Sequence, residues 1–115
     1  MNDRKSEVTI DLSDVASPLE LQQRLSRSLE FPDWYGKNWD AFWDAITGLV
    51  DMPHQLRLLG WQTLKDRLPL DAELLRACLE KMQKELPGSA STVVYDIERD
   101  TLPDAVRSSG RVEGF

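Results

Sequence analysis

Two aspartates, a tryptophan and a threonine are spaced so that one face of a helix would carry all of them. Asp44 follows Asp40 by four residues, and Thr47 follows Asp44 by three. Trp43 lies beside this row, since residues three or four positions apart are neighbours on a helix. A helix dipole stabilises an exposed aspartate in its first turn by about 0.3–1 kcal/mol, and like charges four residues apart repel by roughly 0.2–0.5 kcal/mol. The pair therefore contributes little to folding and becomes useful when cations, above all arginine guanidinium groups, bind it from outside.

Aromatic residues accompany the two aspartates. Trp34, Tyr35 and Trp43 fall within the same eleven residues as the acids, and aromatic side chains beside charged groups are typical of interface hot spots. Two plainer interpretations stay open. Aspartate in a first helical turn often serves only the helix dipole, and Trp43 could fill a half-buried position. The combination favours an interaction surface.

The charge of the chain points to a basic partner. The 115 residues carry a formal net charge of −6, which disfavours direct binding of RNA or DNA. Between residues 30 and 55 five acids accompany one base. The acids are Glu30, Asp33, Asp40, Asp44 and Asp51, and the base is Lys37.

Cysteine usage and the absence of apolar runs predict a cytoplasmic protein. Cys78 is the single cysteine, so no disulfide can form within the chain, as is usual in a reducing compartment. Residues 1–6 are polar and do not resemble a signal peptide. No apolar run approaches the roughly 20 residues that span a bilayer, so we expect no membrane partner.

No arrangement of catalytic side chains is apparent. His54 follows a proline in a predicted loop, and Cys78 is predicted on the apolar face of a helix. Neither a Ser/His/Asp pattern, a glycine-rich phosphate loop nor a cluster of metal ligands is present. Asp40 and Asp44 could bind Mg²⁺ or act as an acid–base pair, but two carboxylates without further ligands form a weak metal site. We expect a protein that is not an enzyme and needs neither cofactor nor metal.

The elements that must position these residues follow from hydrophobic periodicity. Alternating and β-branched residues predict strands over 7–12 and 91–97. A further strand is predicted from Gln55 to its end at Gly60, although this short leucine-rich run could also be helical. Helices are predicted from Pro18 onward and over 39–49, 61–68 and 72–86. Strands separated by helices favour a parallel sheet with right-handed connections. The predicted fold is α/β, a three-stranded parallel sheet with about four helices packed on it, in a domain over 1–98. Residues 99–115 are predicted to form a flexible or loosely docked tail.

Cap residues mark where the helices begin. Ser17 and Asn38 are predicted N-caps, with Glu20 completing a capping box. Asp71 is predicted to cap the last helix, and Pro69 to break the chain before it. Gly36 is expected to permit the turn before Asn38. The predicted inward residues are Leu21, Leu25 and Leu29 in the first helix, and Trp39, Phe42, Ile46 and Leu49 in the second.

The run from Tyr35 to Asp44, YGKNWDAFWD, resembles the signature loop and helix of the barstar family. The order of predicted elements over 7–97 also resembles that family. The string Tyr-Gly-x-Asn-x-Asp-Ala-x-Trp-Asp is specific enough to be unlikely by chance. The resemblance implies a compact barstar-like α/β fold and an intracellular inhibitor of a barnase-like ribonuclease, produced by the cell that makes the enzyme.

The resemblance also implies which residues bind the partner. Asp44 matches the family's principal carboxylate, which stands where an RNA phosphate would bind, and Asp40 matches a second acidic contact. Trp34 stands where barstar has a tyrosine. Glu80 aligns with a further acidic contact, although a solvated helix glutamate is the open alternative. The remaining matches to contact positions are Gly36, Asn38, Trp43 and Thr47.

Two departures concern the identity of the partner. Leu49 stands where barstar has a tryptophan at the rim, and Trp39 replaces an aliphatic residue. We expect a monomer that binds a barnase-like ribonuclease one to one and occludes its basic cleft. The alternative is a barstar-like immunity protein or binding module for a different basic toxin or regulatory protein.

Overall fold

Strands and helices alternate along the chain. The computed structural model describes residues 4–96. In chain order its elements are β1 (Glu7–Asp11), α1 (Pro18–Ser28), α2 (Trp39–Asp44), a π-helical turn (Ala45–Leu49), β2 (Gln55–Leu59), α3 (Trp61–Arg67), α4 (Pro69–Glu85) and β3 (Thr92–Asp96). The predicted α/β fold, with a three-stranded parallel sheet and four α-helices in this range, is confirmed. The expected end of the third strand at Ile97, the boundary at 98 and the tail over 99–115 lie outside the described residues.

The sheet is parallel and has β2 at its centre. Ile10, Leu58 and Tyr95 lie side by side across the three strands. The chain advances from β1 to β2 to β3 in one direction, and connections between parallel strands are right-handed. Both pairs of helices therefore pack on the same face of the sheet.

The opposite face of the sheet is polar. Arg57, in the central strand, forms ion pairs with Glu7 at 3.1 Å and with Asp96 at 3.0 Å. Its neighbours in β2, Leu56 and Leu58, point the other way and are buried. Parallel sheets are usually covered on both faces and their strands are then apolar throughout. Here the strands alternate in sequence because the helices cover only one face.

Helix α1 begins and ends as its sequence requires. The hydroxyl of Ser17 accepts a hydrogen bond from the Glu20 amide at 3.1 Å, which confirms the predicted N-cap. The Glu20 carboxylate accepts from the amide of Ala16 at 3.0 Å, one residue before the cap, so the reciprocal bond of the capping box is displaced. The three predicted inward residues, Leu21, Leu25 and Leu29, are all buried.

The start of α4 differs from the prediction. Pro69 is the first residue of the helix and Leu68 is its N-cap, so α4 begins before the predicted Ala72. A proline fits this position because the first helical amide has no partner within the helix. Asp71 does not cap the helix. It lies in the first turn, and its carboxylate accepts the indole N–H of Trp39 at 3.0 Å.

The predicted helix over 39–49 changes character after Asp44. The amide of Val50 donates to the carbonyl of Ala45 at 3.2 Å, a bond that spans five residues and closes the π-helical turn. The additional residue in the turn changes the direction of the side chains that follow. Phe42 and Ile46 remain buried as predicted, but Leu49 is 43% exposed, so its assignment to the inward face was wrong.

Candidate interaction surface

The loop before α2 is held by a buried tyrosine. The hydroxyl of Tyr35 donates to Oε1 of Gln22, which is also buried, and its ring lies 4.8 Å from the ring of Phe31. Burial raises the pKa of Tyr35 well above its usual value, so the phenol stays a hydrogen-bond donor. Tyr35 is thus a core residue, whereas its neighbour Trp34 is 72% exposed.

Backbone geometry then leads the chain into α2. Lys37, rather than Gly36, has the left-handed conformation of this turn, with φ of 58°. A side chain at position 36 would come within 3.3 Å of Cβ of Ala41, so the glycine permits a close approach. Asn38 caps the helix, as predicted, because its Oδ1 accepts from the amide of Ala41 at 2.7 Å. Gly36 and Asn38 are both exposed.

Both aspartates of α2 are turned outward. Asp40 and Asp44 are exposed, and within residues 4–96 neither carboxylate accepts a hydrogen bond or forms an ion pair. Thr47 follows in the π-helical turn, where it is half-buried, and its hydroxyl donates to the carbonyl of Trp43 at 2.7 Å. We call the surface formed by the exposed Asp40 and Asp44 with the half-buried Trp43 and Thr47 the acidic face.

Trp43 is half-buried, and its inner part packs against the core. The outer part of the indole is covered by Lys81 of α4, whose ammonium nitrogen lies 4.6 Å from the centre of the ring. This distance is within the range of a cation–π interaction. Trp43 therefore fills a half-buried position, as the plainer interpretation expected, and its role in binding a partner stays a prediction.

Glu80 is not brought to the acidic face. Its carboxylate accepts from Nη1 of Arg76 at 2.9 Å, and Glu73 binds the same guanidinium at 2.6 Å. Successive side chains of a helix point about 100° apart. Because Lys81 points toward Trp43, its neighbour Glu80 points away from Trp43. A role for Glu80 in binding stays a prediction, and Lys81 is the α4 residue that sequence reasoning missed. The sequence did contain a signal: Lys81 follows Cys78 by three residues, and this spacing places it next to the apolar face of α4.

Cys78 and His54, the two residues considered for catalysis, each take part in the packing or backbone hydrogen bonding of the fold. Burial raises the pKa of the Cys78 thiol; the charge of Lys81 opposes this effect and that of Asp40 adds to it. The backbone of His54 joins neighbouring segments, donating to Lys5 and accepting from Thr92. In the part of the chain that the structure describes, no group of three or more His, Cys, Asp or Glu residues could hold a metal ion. No described helix is both long and apolar enough to cross a bilayer.

Comparison with known proteins agrees with this geometry. A family model described as Barstar (barnase inhibitor) matches residues 6–98. A relative in Bacillus subtilis (strain 168), named "Putative ribonuclease inhibitor YrdF", is 32% identical over 87 residues, which cover 76% of this chain and 96% of that protein. The matched region takes in every strand and helix described above together with the acidic face, and the chain belongs to the barstar family.

Proposed function

We propose that this protein inhibits a barnase-like ribonuclease by placing its acidic face in the RNA-binding cleft of the enzyme. The observation that carries the proposal is the pair of exposed carboxylates, Asp40 and Asp44, which no cation of residues 4–96 neutralises. Membership of the barstar family supports the same role. The inhibitor itself does no chemistry, and inhibition is competitive occlusion of the cleft.

Charge explains why such a face fits a ribonuclease. A cleft that binds RNA must present arginine and lysine to the phosphates. Asp44 and Asp40 take the places of phosphates, with Asp44 as the principal contact, and form charge-assisted hydrogen bonds with those cations. The net charge of −6 speeds encounter with a basic enzyme, and this steering weakens as salt is added.

Uncharged residues complete the proposed contact. Trp34 adds a large exposed ring in the loop before α2, and there it would exclude water from the charged pairs. The bond between Tyr35 and Gln22 holds this loop in place before binding, which reduces the entropy lost on association. Gly36 and Asn38 are exposed and lie between Trp34 and Asp40 in the sequence. Thr47, at the far end of the acidic face, completes the proposed contact.

We also propose where and how the inhibitor works. One inhibitor molecule binds one enzyme molecule in the cytoplasm of the producing cell, before the ribonuclease is exported. The single cysteine suits that compartment. A barstar-like immunity protein or binding module for a different basic toxin or regulatory protein is the second candidate, and the exposed Leu49, which stands where barstar has a tryptophan, favours it.

The test is inhibition of a barnase-type ribonuclease by Asp44→Ala. Loss of one partner of a desolvated charge pair costs about 2–5 kcal/mol of binding free energy, so this variant should inhibit far less than the parent. Asp66→Ala is the control, since Asp66 is exposed on α3 and the change in charge is the same. Equal inhibition by Asp44→Ala and the parent contradicts the proposal. Salt-reversible capture of a basic protein without ribonuclease activity, lost in Asp44→Ala, supports the second candidate.

A further inference from the structure

Lys81 introduces a positive charge at the border of the acidic face. Its ammonium group lies 4.6 Å from the ring centre of Trp43, and Trp43 stands between the two aspartates in sequence. Lys81 and Asp40 both act electrostatically on the Cys78 thiol, which places their charges at the same junction of α2 and α4. Any protein that covers Asp40 and Trp43 therefore also meets Lys81.

Within the described residues, the charge of Lys81 is not neutralised. Lys81 is exposed, and within residues 4–96 no carboxylate lies in ion-pair contact with it. The adjacent acid, Glu80, is bound by Arg76 instead. The face seen by a partner is thus two carboxylates bordered by one ammonium group.

A cleft that is cationic throughout would not complement this arrangement. It would attract Asp40 and Asp44 but would bring a like charge against Lys81, and such contacts are how interfaces reject wrong partners. An ammonium group that is covered on binding also needs acceptors for its N–H donors. A carboxylate supplies both the acceptor and the opposite charge.

We propose that Lys81 determines specificity, selecting ribonucleases that present a carboxylate beside the cations that receive Asp40 and Asp44. The inference rests on the proposed function and adds the chemistry of the partner at one position. A ribonuclease with only arginine and lysine in this region would be bound weakly by the parent chain.

The experiment uses barnase as the probe and measures Kd for the parent, Lys81→Gln and Lys81→Glu. If the barnase cleft is cationic opposite position 81, Lys81→Glu should bind at least about tenfold more tightly than the parent, with Lys81→Gln between them. Lys65→Glu is the control for net charge, because Lys65 is exposed on α3. Each Lys81 variant is also combined with Asp44→Ala.

A second measurement tests the carboxylate directly. Each arginine and lysine of the barnase cleft is changed to glutamate in turn, and each product is titrated with the parent and with Lys81→Glu. One of these barnase variants should prefer the parent chain. If none does, pairing of Lys81 with a carboxylate is overturned.

The two hypotheses fail in different ways. The role of Lys81 is overturned if the parent, Lys81→Gln and Lys81→Glu bind barnase equally well, or if the two variants bind it more weakly than the parent. In either case Asp44→Ala should still weaken binding, and the proposed function stands. Absence of barnase binding by all three forms also overturns it, because removal of the cation should restore attraction. If Asp44→Ala has no effect in any Lys81 background, the acidic face does not bind and the proposed function itself is lost.

Discussion

The indole N–H of Trp39 donates a hydrogen bond to the carboxylate of Asp71, and this bond joins the first residue of α2 to the first turn of α4. The ring of Trp39 also packs edge-on against Phe42, with 5.3 Å between ring centres. The ring contact lies within α2, whereas the bond to Asp71 holds α2 against α4, the helix that carries Lys81. The position of the acidic face relative to Lys81 therefore depends on residues that need not touch a partner.

Trp39→Phe should destabilise the protein modestly. The change keeps most of the packing against Phe42 but removes the bond to Asp71, and a side-chain hydrogen bond to a charged group contributes about 1.5–3 kcal/mol at most. Urea unfolding measures the loss. Asp71→Ala, which removes the acceptor, and the double variant complete a cycle, and additive effects of the two changes would show that the bond contributes nothing.

Asn38→Ala should weaken both stability and binding. Loss of an N-cap costs about 1 kcal/mol, and α2 has only six residues between its cap and the π-helical turn. Asn38→Ser keeps an acceptor for the Ala41 amide and should retain most of the stability. Thermal unfolding followed by circular dichroism distinguishes them; equal midpoints for the parent and Asn38→Ala would be evidence against the cap.

Tyr95→Phe should change the response to alkali. Burial raises the pKa of Tyr95 from 10.0 to about 12, so between these values the unfolded chain loses a proton that the folded protein keeps. This contribution to stability is fully present below pH 10 and is lost as the pH rises through about 12. Tyr95→Phe should therefore show a smaller decrease in the free energy of unfolding over that interval.

The same substitution should not harm the protein at neutral pH. The Tyr95 hydroxyl is buried and, among residues 4–96, has no hydrogen-bond partner. A buried polar group without a partner costs about 1–3 kcal/mol, so Tyr95→Phe should be at least as stable as the parent at pH 7. A clear loss of stability in urea titrations would mean that the hydroxyl is bonded.

Trp34→Ala should weaken binding without weakening the fold. The side chain is largely exposed, so the free energy of unfolding should change by less than about 0.5 kcal/mol. If Trp34 is an interface anchor, binding of a barnase-type ribonuclease should become less favourable by about 2 kcal/mol. Leu70→Ala, another exposed apolar residue, should leave affinity unchanged; a similar loss in both would indicate a nonspecific effect.

Local sequence signals predicted the parts of the fold that depend on neighbouring residues. The caps at Ser17 and Asn38 each need an acceptor beside a free amide, a relation within four residues. The buried leucines of α1 follow from the helical repeat. The outward direction of Asp40 and Asp44 is fixed by the same repeat once Phe42 is placed inside.

The remaining features depend on contacts between distant elements. The bond to Trp39 makes Asp71 an acceptor for another helix, which no pattern within α4 indicates. The π-helical turn moves Leu49 outward, although its spacing from Phe42 and Ile46 suits an inward face. The choice of Lys81 over Glu80 beside Trp43 depends on the packing of α4 against α2, and one residue of helical rotation decides it.

Coverage of the sheet by helices on one face alone has a practical consequence. Thr9 is exposed in β1 and lies beside Arg57, on the face that the helices of residues 4–96 leave uncovered. A fluorophore or solid support attached to the thiol of a Thr9→Cys variant would stand behind the molecule, with the helical layer between it and a captured enzyme. Immobilised in that orientation, the protein could serve as an affinity matrix whose capture side stays open to solution.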